Sequence, residues 1–199
     1  MVWKIFLTAV VGYLIGSVSF AVILSRLVAK KDVRDYGSGN AGATNVARVF
    51  GMLPGIGILI ADGLKMAAAM YCGKLIGGET GYLIAAAACL VGHSYPVFFG
   101  FRGGKGVSVS AALGLILDVR LFLLLFVVFF AVFFFTRRVS VCSMACAVSY
   151  PFLALLVGFR GGVIWLSVFV MISVVFLHRE NIKRLIAGTE APFSPKKKQ

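Results

Sequence analysis

The sequence has few acidic residues, few histidines and few cysteines. Its 199 residues include 7 Asp and Glu against 20 Lys and Arg, with 2 His. The four cysteines lie in or beside apolar runs, at Cys72, Cys89, Cys142 and Cys146. None belongs to a CxxC or a Cys/His pattern, the spacings that are typical of disulfide frameworks and zinc sites. The sequence therefore predicts neither a disulfide nor a metal site.

Charged residues are also scarce overall. They make up 14% of the chain, whereas 60% of the residues are hydrophobic and the mean hydropathy is +0.99. The net charge of +13 could indicate nucleic acid, but the basic residues flank apolar runs. That placement is typical of residues that orient membrane spans and contact anionic lipids. We predict an all-α, polytopic membrane protein that contacts membrane lipids and no nucleic acid, with residues 1–199 in a single domain.

Seven apolar runs are predicted to be membrane spans. Six of them approach the ~20 residues that cross a bilayer, and the shorter fourth run is counted with them. The seven runs are Trp3–Val28, Leu53–Cys72, Thr80–Phe99, Val107–Leu117, Leu121–Thr136, Val141–Gly158 and Gly161–Leu177. The fourth run has about eleven residues and is too short to cross the ~30 Å hydrocarbon core upright. The fifth is apolar on every side, so we expect it to face lipid.

The basic residues predict the orientation of these spans. Fifteen of the 20 Lys and Arg fall on one side of the predicted membrane, and Lys and Arg accumulate on the cytoplasmic side. The N-terminus is therefore predicted outside and the C-terminus in the cytoplasm. Trp3 and Trp165 then lie near the outer interface, where amphipathic rings are favoured.

Three segments rich in glycine and polar residues interrupt the apolar chain. We call Gly37–Arg48, Gly92–Val107 and His178–Glu190 the first, second and third polar segments. Even numbers of predicted spans separate them, so each returns to the same, cytoplasmic face. The sequence therefore predicts one composite site built from all three.

The first polar segment has Gly37, Gly39 and Gly42 in the GxGxxG spacing of dinucleotide-binding loops. No β-strand precedes it and no βαβ unit fits a membrane bundle, which excludes that function. Glycines still let backbone amides approach an anion. The segment adds polar and basic donors at Ser38, Asn40, Thr44, Asn45 and Arg48. We predict phosphate binding; the alternative is an interfacial loop whose glycines serve turns.

The second polar segment contains five consecutive residues suited to an anion: Arg102, Gly103, Gly104, Lys105 and Gly106. It is not a Walker A loop, because Phe99 stands where that motif needs glycine. We expect the basic side chains to supply charge, and the glycines to expose amide donors to a phosphate or an oxyanion. His93 is interpreted either as a structural histidine or as a group of the site.

In the third polar segment His178 and Asn181 are three residues apart, so they share one face of a helix. His178 could act as a general base, orient a substrate hydroxyl or be structural. Glu190 could position another group or be solvated. Ser143, in the sixth span, could reach the site or pack between helices.

Asp62 and Lys65 are ionisable residues within an apolar span, where charge is costly. We interpret them as an internal ion pair or as support for the site.

The three polar segments together resemble those of the bacterial acyl-phosphate:glycerol-3-phosphate acyltransferases of the PlsY type. The match is to GSGNAGATN with Arg48, GHSYPVFFGFRGGKGV and HRENIKRLIAGTE, in the family's order. The resemblance implies a seven-helix enzyme of the bacterial inner membrane that needs no cofactor. It implies transfer of an acyl group from acyl phosphate to the 1-hydroxyl of sn-glycerol 3-phosphate, which yields lysophosphatidate and phosphate. The HxxxxD motif of other glycerol-3-phosphate acyltransferases is absent, since Phe98 stands where His93 would need an aspartate.

We expect direct transfer without an acyl-enzyme, because no serine or cysteine has an evident activating triad. The residues expected to be catalytic are Ser38, Lys105, His178 and Asn181. Those expected to bind substrate are Gly37, Gly39, Asn40, Thr44, Asn45, Arg48, His93, Arg102, Gly103, Gly104 and Ser143. A transporter or channel for an organic phosphate, or a noncatalytic lipid-binding subunit, is the alternative. The sequence indicates no oligomeric state.

Overall fold

A computed structural model describes residues 2–194, and these residues form nine α-helices and no strand, as the all-α prediction requires. The helices are α1 (Val2–Gly16), α2 (Phe20–Ala29), α3 (Ala43–Phe50), α4 (Met52–Ser94), α5 (Val107–Leu117), α6 (Val119–Thr136), α7 (Val139–Val157), α8 (Gly162–Leu177) and α9 (Arg179–Ile186). They fall into two compact units. Unit 1 comprises residues 2–113 with Ser194, and unit 2 comprises Gly114–Phe193.

Within the described residues, four helical segments are long and apolar enough to cross a membrane. They are Val2–Ala29, Met52–Phe99, Val119–Thr136 and Val139–Val157. A fifth is obtained if α8 and α9, bent by 54°, form one span. Only 11% of α6 is buried inside the protein, against 39% of α7, as expected for a helix that faces lipid.

The predicted span Trp3–Val28 is interrupted where α1 ends and α2 begins. The backbone is extended at Ser19, and the carbonyl of Val18 accepts a 2.9 Å hydrogen bond from Lys65 Nζ. A donor supplied by another helix satisfies backbone that the break exposes, as membrane-embedded breaks require.

Helix α4 reverses direction at Gly78, whose φ of 63° and ψ of −148° are accessible chiefly to glycine. Gly73 packs directly against the backbone of Gly81 and the side chain of Ala85. In a straight helix these residues would stand about 12 Å and 18 Å away from Gly73. The two arms of α4 therefore correspond to two predicted runs, Leu53–Cys72 and Thr80–Phe99.

In unit 1, glycines allow α1 to approach the second arm of α4. Gly12 lies against the backbone of Ala85, and Gly16 against that of Cys89. Small residues permit this backbone contact between membrane helices. The contact continues at Gly92, which lies against Tyr13, so that the end of α1 adjoins the start of the second polar segment.

An apolar cluster underlies the first polar segment. Its buried members are Ala21, Val22, Val33, Ala41, Val46 and Ile58. In unit 2, α7 packs against both α6 and α8, and its Tyr150 is buried. All four cysteines are free thiols.

Candidate functional site

Asn45 organises the first polar segment. It lies buried in the first turn of α3, and its Nδ2 donates to the carbonyls of Val33, Tyr36 and Asn40, each at 3.0 Å. Its Oδ1 accepts a 2.8 Å hydrogen bond from the Ser38 amide. Because these contacts occupy the side chain of Asn45, the structure assigns it to shaping the loop; the predicted contact with substrate stays a prediction.

This arrangement leaves the tip of the segment at the surface. Gly37 and Gly39 have φ values of 61° and 71°, and Asn45 Oδ1 occupies the place of a side chain at Gly37. Ser38 is exposed beside them, and Asn40 is half-buried. Thr44 and Arg48 follow in α3, in its first and last turns, and both are half-buried.

The second polar segment is closed by hydrogen bonds at its base. The amides of Gly103 and Gly104 donate to the carbonyls of Ser94 and His93, at 3.1 and 3.0 Å. A side chain at Gly104 would overlap the His93 ring, and one at Gly103 would meet the His93 carbonyl. These two glycines are thus required by close packing. Their amides already have acceptors within the loop, so an anion here has to be held by other groups, contrary to the expectation that these amides are exposed.

Arg34, three residues before the first polar segment, bonds to the second polar segment, a role that the sequence did not indicate. Its Nη1 donates to the carbonyls of Phe99 and Arg102, at 2.7 and 3.1 Å, while Nη2 pairs with Asp32 at 2.8 Å. Hydrogen bonds from Arg34 hold the pKa of Asp32 far below its usual range; partial burial opposes them and Arg26 adds to them. The close spacing of Asp32 and Arg34 in the sequence could have indicated a structural role for Arg34, but such residues look like part of the basic cluster that flanks a membrane span.

A buried charged network lies behind the second polar segment. Asp62 Oδ1 is 3.0 Å from Lys65 Nζ and 3.5 Å from His93 Nδ1. Its Oδ2 accepts a 2.6 Å hydrogen bond from the Ser108 hydroxyl. The ion-pair interpretation of Asp62 and Lys65 is confirmed, and Ser108 joins them without having been predicted. The polar side chain of His93 faces this network.

Three basic side chains of unit 1 remain candidates for binding an anion. Arg48 and Lys105 are half-buried, and Arg102 is exposed. Neither Arg48 nor Arg102 takes part in the ion pairs seen between residues 2 and 113. Arginine can bind a phosphate with two parallel hydrogen bonds.

Glu190 gathers the polar side chains of unit 2. Its Oε1 accepts hydrogen bonds from Ser140 Oγ and Asn181 Nδ2, both at 2.6 Å, and its Oε2 pairs with Arg184 Nε at 2.6 Å. Burial acts to raise the pKa of Glu190, but the hydrogen bonds from these three residues outweigh it and leave the pKa below its usual value. Of the two interpretations of Glu190, the positioning of another group is therefore confirmed.

His178 lies at the bend between α8 and α9 and is buried. Its Nδ1 is 2.8 Å from the carbonyl of Val174, which can only accept, so Nδ1 carries the proton. In the neutral ring Nε2 is then the basic nitrogen. Ser143 is also buried, and its hydroxyl donates to the carbonyl of Val139 at 2.8 Å.

The structure thus places the predicted residues in two groups, one in each unit. Unit 1 holds those of the first and second polar segments, together with the network around Asp62. Unit 2 holds Ser143, His178 and Asn181, the last fixed by Glu190.

The apolar helices and the glycine-rich, basic loops define a polytopic helical membrane protein. The sequence profile of the family described as glycerol-3-phosphate acyltransferase matches residues 6–188. The chain belongs to this family.

Curated relatives with the same family name align with nearly the whole chain. Glycerol-3-phosphate acyltransferase of Thermoanaerobacter pseudethanolicus is 39% identical over 190 residues, which cover 96% of each chain. Glycerol-3-phosphate acyltransferase 2 of Bacillus anthracis is 40% identical, over 92% of this chain and 96% of its own. Glycerol-3-phosphate acyltransferase of Burkholderia pseudomallei is 41% identical over 98% of both chains.

Two crystal structures of PlsY (YgiH), an integral membrane glycerol 3-phosphate acyltransferase, share the fold at 31% identity. The glycerol 3-phosphate form has a TM-score of 0.88 and covers 96% of each chain. The lysophosphatidic acid form has a TM-score of 0.86, over 96% of this chain and 95% of the other.

Proposed function

We propose that this protein transfers a fatty acyl group from acyl phosphate to the 1-hydroxyl of sn-glycerol 3-phosphate. The products are lysophosphatidate and inorganic phosphate. The observation that carries this proposal is the likeness to a structure of a glycerol 3-phosphate form, with a TM-score of 0.88 over 96% of the chain. The lysophosphatidic acid form of the same protein supports the product.

Unit 1 is proposed to bind the acyl phosphate. Arg102 and Lys105 supply positive charge to the phosphate, and Ser38 and Asn40 donate hydrogen bonds from the first polar segment. The same donors stabilise the negative charge that develops on the carbonyl oxygen during attack. The contacts of Arg34 with the Phe99 and Arg102 carbonyls support this assignment, because they tie the stretch that leads into the first polar segment to the second one.

Three residues of unit 2 are proposed to bind glycerol 3-phosphate, and two of them, Ser143 and Asn181, supply polar contacts. Arg48, in unit 1, is proposed to supply charge to a substrate phosphate. His178 Nε2 orients the attacking hydroxyl and accepts its proton, unless a phosphate oxygen of the substrate takes that proton. The contact between His178 Nδ1 and the Val174 carbonyl supports this role, since it leaves the basic nitrogen at Nε2.

The transfer is proposed to be direct. The glycerol oxygen attacks the carbonyl carbon and forms the new ester bond, while the bond from that carbon to the phosphate oxygen breaks. Its electron pair leaves with the phosphate, which is already a good leaving group. Ser143 directs its hydroxyl proton to the carbonyl of Val139, which cannot act as a base, and this supports a transfer that does not pass through an acyl group on Ser143.

Turnover by the purified protein in detergent tests the reaction. We expect phosphate release from acyl phosphate to require glycerol 3-phosphate and to match the lysophosphatidate formed, measured by mass spectrometry. Acyl-CoA in place of acyl phosphate is expected to give no product. A transporter or a lipid-binding subunit would release no phosphate, and that result would exclude the proposed reaction.

Intact-mass spectrometry tests the direct route. The protein is incubated with acyl phosphate in the absence of glycerol 3-phosphate and then quenched in acid. We expect the mass of the protein to stay unchanged. A protein heavier by one acyl group, which reacts on when the acceptor is added, would contradict direct transfer.

We also propose seven spans in a bacterial inner membrane, with the N-terminus outside, the C-terminus inside and the site on the cytoplasmic face. The reversal of α4 at Gly78 supports two crossings by that helix, and the distribution of Lys and Arg supports the orientation. A reporter that is fluorescent only in the cytoplasm, fused after Gln199, is expected to fluoresce. A dark but fully expressed fusion would contradict this orientation.

A further inference from the structure

One buried carboxylate contacts both ends of the loop that carries Arg102 and Lys105. Asp62 is 2% exposed. Its Oδ1 lies 3.5 Å from Nδ1 of His93, near the end of α4, where the loop begins. Its Oδ2 accepts a 2.6 Å hydrogen bond from Ser108, the second residue of α5, where the loop ends. The carboxylate therefore bridges the two stems.

His93 transmits this constraint to the glycines of the loop. Its carbonyl accepts the Gly104 amide at 3.0 Å, and its ring fills the space that a side chain at Gly104 would need. The neighbouring Gly103 amide bonds to the Ser94 carbonyl at 3.1 Å. A shift of the His93 ring would consequently move the backbone that precedes Lys105.

Lys65 supplies the counter-charge. Its Nζ is 3.0 Å from Asp62 Oδ1 and 2.9 Å from the Val18 carbonyl, and its side chain is 3% exposed. Buried ion pairs often contribute little net stability compared with well-packed apolar residues, although losing one partner is costly. The presence of this buried ion pair is therefore better explained by the geometry that it imposes on the loop than by a contribution to stability.

We propose that Asp62 is a positioning residue for the phosphate-binding loop Arg102–Gly106. It sets the spacing between His93 and Ser108, and through them the place of Arg102 and Lys105 against a phosphate group. Asp62 does not itself touch the substrate. This inference rests on the proposed function of that loop.

Two variants separate positioning from folding. Ser108→Ala removes only the contact at the α5 stem. The double variant Asp62→Asn with Lys65→Met removes the ion pair while leaving no unbalanced charge. The matched control is Ser167→Ala in unit 2, because Ser167 is also buried in a helix and its hydroxyl bonds only to the Val163 carbonyl, at 2.7 Å, among the contacts seen.

The readouts are KM for acyl phosphate and for glycerol 3-phosphate, kcat, and Tm in detergent with and without inorganic phosphate. In both test variants we expect KM for at least one substrate to rise about tenfold or more, because small displacements of positioned groups have effects of that size. Phosphate should raise Tm of the wild type, and should raise Tm of the test variants less. Ser167→Ala should behave as the wild type does.

A folded double variant with wild-type KM values and wild-type protection by phosphate would overturn the inference. If the double variant does not fold, Ser108→Ala decides by the same criteria. Absence of turnover in the wild type would contradict the proposed reaction and not this inference, which the shift of Tm with phosphate would then decide alone.

Discussion

Asp62 in unit 1 and Glu190 in unit 2 are both carboxylates that contact one cation and two further polar side chains. Asp62 lies within a membrane-spanning segment, and its side chain is 2% exposed. Glu190 lies in the segment after α9, and its side chain is 11% exposed. Each contacts a residue proposed to take part in substrate binding or catalysis, His93 in unit 1 and Asn181 in unit 2.

The difference between them is access to water. A carboxylate that loses its cation inside a low-dielectric region remains charged at great cost or changes its protonation. One near the surface can be hydrated instead. We therefore expect the network around Asp62 to control both folding and the loop, and the network around Glu190 to control mainly local order. The predictions that follow test this contrast.

The largest effect is expected from Lys65→Met alone. Removing the cation leaves Asp62 buried without its counter-charge, which typically destabilises by about 3–5 kcal/mol. Thermal unfolding in detergent measures it. The matched control is Lys74→Met, since Lys74 pairs with Glu79 at 2.8 Å but is 57% exposed, and Tm should hardly change. Equal effects of the two variants would remove the contrast between buried and exposed pairs.

Gly104→Ala tests whether the network reaches the loop. The added methyl group would overlap the His93 ring, and overpacking of this kind costs about 1–3 kcal/mol. We expect a lower Tm together with a higher KM for a phosphate-bearing substrate. Gly57→Ala, in α4, is the control, because a Cβ there meets nothing within 4 Å. If Gly104→Ala matched this control in steady-state kinetics, His93 would not constrain the loop.

Glu190→Gln tests the counterpart in unit 2. Glutamine keeps one acceptor but replaces the other with an amide group, which cannot accept from Arg184 or Asn181. We expect kcat to fall while Tm falls less than in Lys65→Met. Glu180→Gln is the control, because Glu180 pairs with Lys183 at an exposed position, and its kcat should be that of the wild type. If Glu190→Gln lowered Tm as much as Lys65→Met does, the expected contrast between the two carboxylate networks would be contradicted.

Arg34→Lys is expected to have a smaller effect. A lysine cannot reproduce the planar set of donors that bonds to the Phe99 carbonyl and to Asp32 together. The loss of one or two such hydrogen bonds, each contributing about 1 kcal/mol, should raise KM several-fold. Arg26→Lys is the control, since Arg26 pairs with the same Asp32 but is 54% exposed. Identical KM values in both variants would contradict a role of Arg34 in holding the second polar segment.

The helices could be predicted from the sequence because apolar run length determines them locally. The run Val107–Leu117 coincides with α5, and the two runs either side of Gly78 overlap the arms of α4, although the second run extends past the end of α4 at Ser94. The break after α1 was not predicted. At this break the Val18 carbonyl accepts a hydrogen bond from Lys65, 47 positions away, and a contact with a backbone carbonyl leaves no side-chain pattern.

The candidate site was predictable as residue types and less so as contacts. The polar segments drew attention to Asn45, Gly103 and Gly104, yet the structure uses these residues to close loops. The contacts of Arg34 with Phe99 and of Ser108 with Asp62 were missed because these partners lie 46 or more positions away. A basic residue beside a span or a serine in a helix is too common to indicate such a contact.

The smallest effect is expected in the dependence of stability on pH. Because the pKa of Glu190 is lower in the folded state than its usual value, its carboxylate stabilises the fold fully above that usual value, about 4.3. This contribution is lost as the pH falls through the lower, folded-state pKa. Tm of the wild type should therefore decline below about pH 4, and Glu190→Gln should show a shallower decline. Parallel curves of Tm against pH for the two proteins would mean that the hydrogen bonds at Glu190 do not favour its charged form, and its likeness to Asp62 would then be one of geometry alone.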